Sequence, residues 1–274
     1  MSTTQFPIVL VIAGNDPSGG AGLGADIQAL ASMGCHAAPV VTCITIQDTS
    51  QVLEKFPLSG ARVAAQAEAV LNDIAVAACK IGLLGSVEIV EAVQQVLLKH
   101  PHIPVVLDPV LASGGGQSLM ANQARQTIIT QLLPLVQVLT PNAQEARTLA
   151  GSPPSLEAAA AQLMDYGCEF VCITGADENQ PQVTNTLYGH GIKLQSWTWP
   201  RLPHSYHGSG CTFAASLAGL LAQGQEMVTA VCEAQRYTWT CLQHGYLPGQ
   251  GQALPNRLCH GEWFIKNSLF RNRE

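Results

Sequence analysis

Ile8-Val9-Leu10-Val11-Ile12-Ala13, followed by Gly14-Asn15-Asp16-Pro17-Ser18-Gly19-Gly20-Ala21-Gly22, decides the fold class. Six successive apolar residues leave no polar face, so they read as a strand buried on both sides. The glycines that follow permit positive φ and close backbone approach, and a helix through Met33 takes over from the loop. The rhythm repeats. Ala38–Ile46, Ala75–Ile81, Val105–Leu107, Val136–Leu139 and Phe170–Thr174 read as strands, with Ala61–Leu71, Val87–Leu98 and Leu156–Tyr166 as helices between them. Such alternation predicts an α/β fold with a mostly parallel sheet covered on both faces. Val183–Trp199 departs from it and reads as a hairpin turning at Gly189-His190-Gly191, and two helices follow at about 211–223 and 227–243. Without a repeat, a low-complexity tract or a Gly/Ser linker, residues 1–274 read as a single domain.

Composition narrows the function. Charged residues are only 12% of the chain, about half the usual share. With 13 Lys+Arg against 19 Asp+Glu the net charge is -6, so no basic surface is available and nucleic acid is not an expected partner. Nine cysteines, an odd number scattered through apolar runs, fit reduced thiols of a cytoplasmic protein. Met1–Pro7 has no basic n-region, Ile8–Ala13 is too short for a signal peptide, and no apolar run is long enough to span a membrane.

In open parallel sheets ligands bind beyond the carboxyl ends of the strands. The informative residues gather there: Gly14–Gly22, Gln47-Asp48, Asp108, Asn142–Glu145 and Thr174-Gly175. His207-Gly208-Ser209-Gly210-Cys211-Thr212 opens an apolar helix, and small residues at a helix start aim free N–H groups at one spot. That is an anion hole suited to a transferring phosphoryl group, although no Walker lysine is present. A thiol at such an entrance, Cys211, can have a lowered pKa and serve as base or polar contact. Asp108 and Glu145 suit Mg²⁺ with substrate phosphates; Asn142 and Glu145 also read as a capping box. Gly20-Ala21-Gly22-Leu23-Gly24-Ala25, with Asp48 downstream, satisfies a loose dinucleotide fingerprint, but Asp16-Pro17-Ser18 separates it from the strand. Neither Cys168-x-x-x-Cys172 nor His100-x-His102 has further ligands at zinc spacing.

The glycine loop, with Ala25-Asp26-Ile27 and Thr45-Ile46-Gln47-Asp48-Thr49, resembles the hydroxymethylpyrimidine/phosphomethylpyrimidine kinases of thiamine synthesis, in the ribokinase-like superfamily. Lys80-Ile81-Gly82-Leu83-Leu84-Gly85, Leu107-Asp108-Pro109-Val110, Thr140-Pro141-Asn142-x-x-Glu145 and His207–Thr212 match in the same order, so the resemblance runs from about residue 8 to residue 245. It implies a three-layer α/β/α sandwich with a mostly parallel central sheet. It also implies a homodimeric kinase using ATP and Mg²⁺ to phosphorylate 4-amino-5-hydroxymethyl-2-methylpyrimidine and then its monophosphate.

By resemblance Gln47, Asp26, Gly14, Leu83 and Val110 line the pyrimidine pocket, and Gly208, Ser209, Gly210 and Cys211 form the catalytic anion hole. Asn142, Glu145, Thr174 and Gly175 serve ATP and its phosphates, and Asp108 and Glu145 the metal. Three departures stand out. Ile173-Thr174-Gly175-Ala176 and Leu111-Ala112-Ser113-Gly114-Gly115-Gly116 each lack a lysine that the family often carries, and Gln47-Asp48 replaces Gln-Asn. The second phosphorylation is the step these losses touch. A pyridoxal/pyridoxine kinase shares the scaffold, a dinucleotide-dependent oxidoreductase rests on the loose fingerprint, and a non-catalytic pyrimidine-sensing module fits the lost lysines.

Overall fold

The first strand, β1 (Ile8–Asn15), is buried from Val9 to Ala13 because helices cover both of its faces. The structure is a computed structural model and describes residues 6–112, 119–176, 178 and 180–259. After β1 come α1 (Gly22–Ser32), β2 (His36–Gln47), β3 (Val52–Pro57), α2 (Gly60–Asp73), β4 (Ala78–Ile81), α3 (Val87–Leu98), β5 (Val105–Leu107) and α4 (Asn122–Thr127). The chain continues through β6 (Val138–Leu139), α5 (Ala143–Leu149), α6 (Leu156–Asp165), β7 (Phe170–Ile173), β8 (Gln182–Gly189), β9 (Ile192–Pro200), α7 (Ser209–Ala222) and α8 (Met227–Gln243).

All nine of these strands join one sheet in the order β3-β2-β1-β4-β5-β6-β7-β8-β9. The six strands from β2 to β7 in that order are parallel, and β3 at one edge and β8–β9 at the other are antiparallel. Side chains alternate across the sheet, so β1 serves two cores. Leu10 and Ile12 face Val63 of α2, Ile89 and Val93 of α3, Leu149 of α5 and Leu163 of α6. Val9, Val11 and Ala13 face Leu30 of α1, Phe213 and Leu217 of α7 and Val231 of α8. The sandwich thus has three layers. Strand order reverses between β1 and β4, and the crevice at that switch is where such sheets bind ligands.

Several elements differ from the sequence reading, among them β2, which starts at His36 rather than Ala38, and β4, which starts at Ala78 rather than Ala75. β3 was not expected, because a segment reading Val-Leu-Glu-Lys-Phe-Pro carries charge and ends in proline, features of an edge strand. Residues 122–135 carried no assigned element in the sequence reading; α4 runs there into a π-helical turn (Ile128–Leu132) and a 3₁₀ turn (Leu133–Leu135) in which Pro134 ends the helical run. β6 starts at Val138 rather than Val136, because the Val136 N–H still closes that turn on Leu133. The hairpin turns where expected, with positive φ at His190 and Gly191, the two-residue turn that suits strand twist. No helix among the described residues is long and apolar enough to cross a membrane.

Candidate active site

An open cleft of about 720 Å³ follows the carboxyl ends of the strands. Gly14, Gln47, Leu83, Asp108, Val110, Asn142, Glu145, Thr174 and Gly208 to Cys211 all line it. Two expected residues do not. Asp26 is fully buried on α1, one layer beneath the cleft, where its carboxylate pairs with Lys80 of β4 at 3.0 Å. Gly175 faces the sheet, its N–H donating to Asn185 Oδ1 at 3.0 Å. Residues 113–116 of the lysine-lacking stretch lie outside the described residues.

The first loop is built around Asp16. Its Oδ1 accepts the Ser18 N–H at 2.9 Å and hydroxyl at 2.7 Å, and its Oδ2 accepts the Ala21 N–H at 2.9 Å. Gly22 turns the chain into α1 at φ +57°, where a Cβ would lie 2.3 Å from the Gly14 carbonyl oxygen. His207 Nε2 lies 2.8 Å from Asp16 Oδ2 and 3.0 Å from Gln47 Nε2, so this ring joins both glycine loops to the expected pyrimidine ligand. Burial raises the Asp16 carboxyl, but hydrogen bonds from His207, Ser18 and Ala21 outweigh it and hold the group below its ordinary value. Neither Asp16 nor His207 was singled out from sequence for this link, because 191 residues separate them.

The second loop meets the first backbone to backbone. Gly208, the N-cap of α7, sits at φ +82°, and a Cβ there would fall 1.9 Å from the Gly20 carbonyl oxygen. No side chain caps α7, which leaves its first turn open to the cleft. Cys211 lies within this turn, close enough to the Asp108 carboxylate for that charge to act on its thiol. The expectation of a lowered thiol pKa is overturned. Burial pushes it up to about 12; Lys80 opposes this, and the Asp108 and Asp26 carboxylates add to it. Burial likewise raises Asp108, against Lys80 and the thiol. In the buried pair, desolvation pushes Asp26 up to about 6 against the pull of Lys80. Burial opposes the Lys80 charge, yet attraction from Asp26, Cys211 and Asp108 wins and raises its pKa. The ammonium lines the cleft floor as a fixed, already paired charge.

On the third side Asn142 caps α5. Its Oδ1 accepts the Glu145 N–H at 2.7 Å, while Glu145 Oε2 accepts the Asn142 N–H at 2.9 Å. Glu145 Oε1 also accepts the Leu111 N–H at 3.3 Å. Among the described residues no group of three or more His, Cys, Asp or Glu could hold a metal by itself. Asp108 and Glu145 as two cleft carboxylates nevertheless fit Mg²⁺, which usually takes one or two from protein and completes its shell with water and phosphate.

The family described as phosphomethylpyrimidine kinase matches the chain over residues 16–256. The chain belongs to this family. It is 37% identical over 260 residues to the hydroxymethylpyrimidine/phosphomethylpyrimidine kinase of Haemophilus influenzae, covering 90% of this chain and 95% of that one. Among solved structures, the pyridoxal kinase from Staphylococcus aureus in complex with ADP superposes with a TM-score of 0.85 at 28% identity, covering 93% of this chain and 95% of that one. A phosphomethylpyrimidine kinase from Clostridium difficile gives 0.75 at 29% identity, covering 87% and 100%.

Membership in the phosphomethylpyrimidine kinase family removes the oxidoreductase reading, and the structure shows why the fingerprint misled. Gly20 packs against His207 and Leu254, and Gly22 against Gly14, so these glycines serve contacts between loops. The sequence reading of this kinase also missed cationic groups. Arg201 lines the cleft and donates to the carbonyls of Ala176, Glu178 and Gln180. Arg257 lies buried behind both glycine loops. Neither belongs to a recognisable motif.

Proposed function

We propose that this kinase transfers the γ-phosphoryl group of ATP to the hydroxymethyl oxygen of 4-amino-5-hydroxymethyl-2-methylpyrimidine, and then to the resulting monophosphate. The observation that carries this reading is the convergence of Gln47, Asp108 and the open first turn of α7 on one cleft. The Gln47 amide donates and accepts at once, which suits an aminopyrimidine, with Gly14, Leu83 and Val110 forming apolar walls. The Gly208–Cys211 backbone receives the charge of the transferring group, and Asn142 and Thr174 serve the nucleotide phosphates.

Asp108 and Glu145 would hold Mg²⁺, which when bound neutralises phosphate charge. A thiol held protonated by burial supports a role for Cys211 in positioning the acceptor hydroxyl, consistent with a loose transition state that needs little base assistance. Nine cysteines, none of them in a disulfide among the described residues, support a reducing, cytoplasmic setting for a single-domain enzyme. The exposed face made by Ile44, Ile46 and Phe56 of the β2–β3 ribbon supports a homodimer. Ile44→Glu is expected to convert it to monomer in sedimentation; an unchanged species excludes this ribbon as the interface.

Phosphorus NMR of reactions with Mg-ATP and each acceptor tests the main reading. Mono- and pyrophosphate from the pyrimidine are expected, and monophosphate alone would limit the enzyme to the first step. The higher TM-score to pyridoxal kinase favours one second reading, and turnover of pyridoxal but not pyrimidine would establish it.

A further inference from the structure

Arg257 is 2% exposed, yet no carboxylate among the described residues lies within ion-pair distance of it, and Asp26, already paired with Lys80, acts on it only from farther away. Among the described residues its guanidinium hydrogen-bonds only neutral groups. Nε donates to Thr212 Oγ1 at 2.8 Å; Nη1 reaches the Gly19 carbonyl and Gln28 Oε1, each at 3.4 Å. Nη2 donates to the carbonyls of Gly20 and Gly208. The Arg257 carbonyl in turn accepts from Ser32 Oγ of α1 at 2.6 Å and Tyr237 Oη of α8 at 2.9 Å, which fixes the backbone from which the side chain projects.

This location is unfavourable for stability alone. A buried charge without a contacting counter-charge is costly, and a cation beside a helix N-terminus opposes the helix dipole. A residue selected only to hold two loops together need not be charged. The unfavourable placement becomes an advantage once an anion occupies the open turn of α7, because guanidinium and dipole then act in the same direction. Arginine is also the side chain that remains charged under such burial.

We propose that Arg257 is a positioning residue for phosphoryl transfer: it clamps the Gly19-Gly20 loop to the N-terminal turn of α7 and adds buried positive charge behind that turn. The inference rests on the reading of Gly208–Cys211 as the phosphoryl site. Arg257 does not line the cleft, so it acts through the loops and through its field.

The test compares Arg257→Gln and Arg257→Lys with the unmodified protein. Melting temperature, kcat and KM with Mg-ATP and hydroxymethylpyrimidine, and calorimetric binding of the pyrimidine alone are measured. Arg257→Gln is expected to lower kcat about 10- to 100-fold, less than loss of a direct oxyanion donor at its upper end, with pyrimidine affinity within about threefold. Arg257→Lys, which keeps the charge but not the fork, is expected to recover about tenfold of that loss. Equal kcat for the two variants at matched melting temperature overturns the electrostatic role, and an unchanged kcat in Arg257→Gln overturns the proposal entirely. If Arg257→Gln fails to fold, Arg257→Lys decides, since a loss beyond about 100-fold without a fall in melting temperature contradicts the charge argument.

Cys211→Glu, measured alongside, separates the two readings, because a carboxylate there fills the turn whose backbone N–H groups receive the phosphoryl charge. Retained kcat there overturns the phosphoryl-site assignment together with this inference. Lost kcat there beside an unaffected Arg257→Gln overturns the Arg257 proposal alone.

Discussion

Two of the helices whose N-termini line the cleft, α5 and α7, finish them in opposite ways. In α5 the N-cap Asn142 accepts the Glu145 N–H, and the Glu145 carboxylate returns to the Asn142 N–H. In α7 the N-cap is Gly208, left-handed and without a side chain, and the corresponding third helical position is Cys211. Glu145 and Cys211 are therefore equivalent positions with opposite chemistry. The α5 terminus presents a carboxylate already oriented by backbone donors, as a cation requires. The α7 terminus leaves its N–H groups for an incoming anion. Helices α3, α6 and α8, whose caps do not line the cleft, are closed by Ser86, Ser155 and Glu226. Leaving a helix end uncapped costs about 1 kcal/mol. The starts of α1, α2 and α4 also lack a side-chain cap, so what sets α7 apart from α5 is that its uncapped turn, Gly208 to Cys211, lines the cleft.

The most severe way to break this division is to give α7 the chemistry of α5. Cys211→Glu places a carboxylate where it can fold back on the N-cap N–H and fill the hole. We expect a kcat loss of about 1,000-fold or more, with the protein still folded by circular dichroism, since an acid in a first helical turn is favourable there. Activity within about tenfold of normal would show that the α7 turn does not receive the phosphoryl charge.

Cys211→Ala is milder and sharpens the role of the thiol. A loss of about 100-fold in kcat with little change in pyrimidine KM is expected for a group that acts on the reacting hydroxyl. Because burial holds the thiol up to about 12, it stays protonated through the neutral and mildly alkaline range. The kcat of the unmodified enzyme should therefore show no thiol-dependent rise between about pH 7 and 9.5; a rise that disappears in Cys211→Ala would identify a thiolate base.

The parallel core was legible because buried strands such as Val9–Ala13 write their environment into composition, and the strand ends then located the cleft. Edge and helical segments were less so. Half-exposed β3 mixes Leu53 and Phe56 with Glu54 and Lys55, and Pro134 in residues 122–135 conceals a helix before it. Site residues met the same limit. Gly14, Gln47 and Asp108 sit at strand ends and were readable, whereas Asp26 was assigned to the pocket although it faces inward to Lys80. A helix start argues for an acidic thiol at Cys211, but burial beside Asp108 and Asp26 wins, and that depends on partners far away in sequence. Arg257 illustrates it most plainly, since no local pattern says that three of its hydrogen bonds will fall on two glycine loops.

The smallest effect is expected at α5. Glu145→Gln keeps the shape of the capping residue but removes the charge, leaving an amide oxygen to accept one backbone N–H where the carboxylate accepts those of both Asn142 and Leu111. The cap weakens by about 1 kcal/mol, visible as a small fall in melting temperature. If the α5 terminus is the cationic side of the cleft, kcat falls about tenfold at limiting Mg²⁺, and higher Mg²⁺ restores part of it. If Glu145 is only a cap, the melting temperature falls while the Mg²⁺ dependence stays unchanged. A loss that no Mg²⁺ concentration relieves would point instead to displacement of the Leu111 backbone and of the cleft wall it carries.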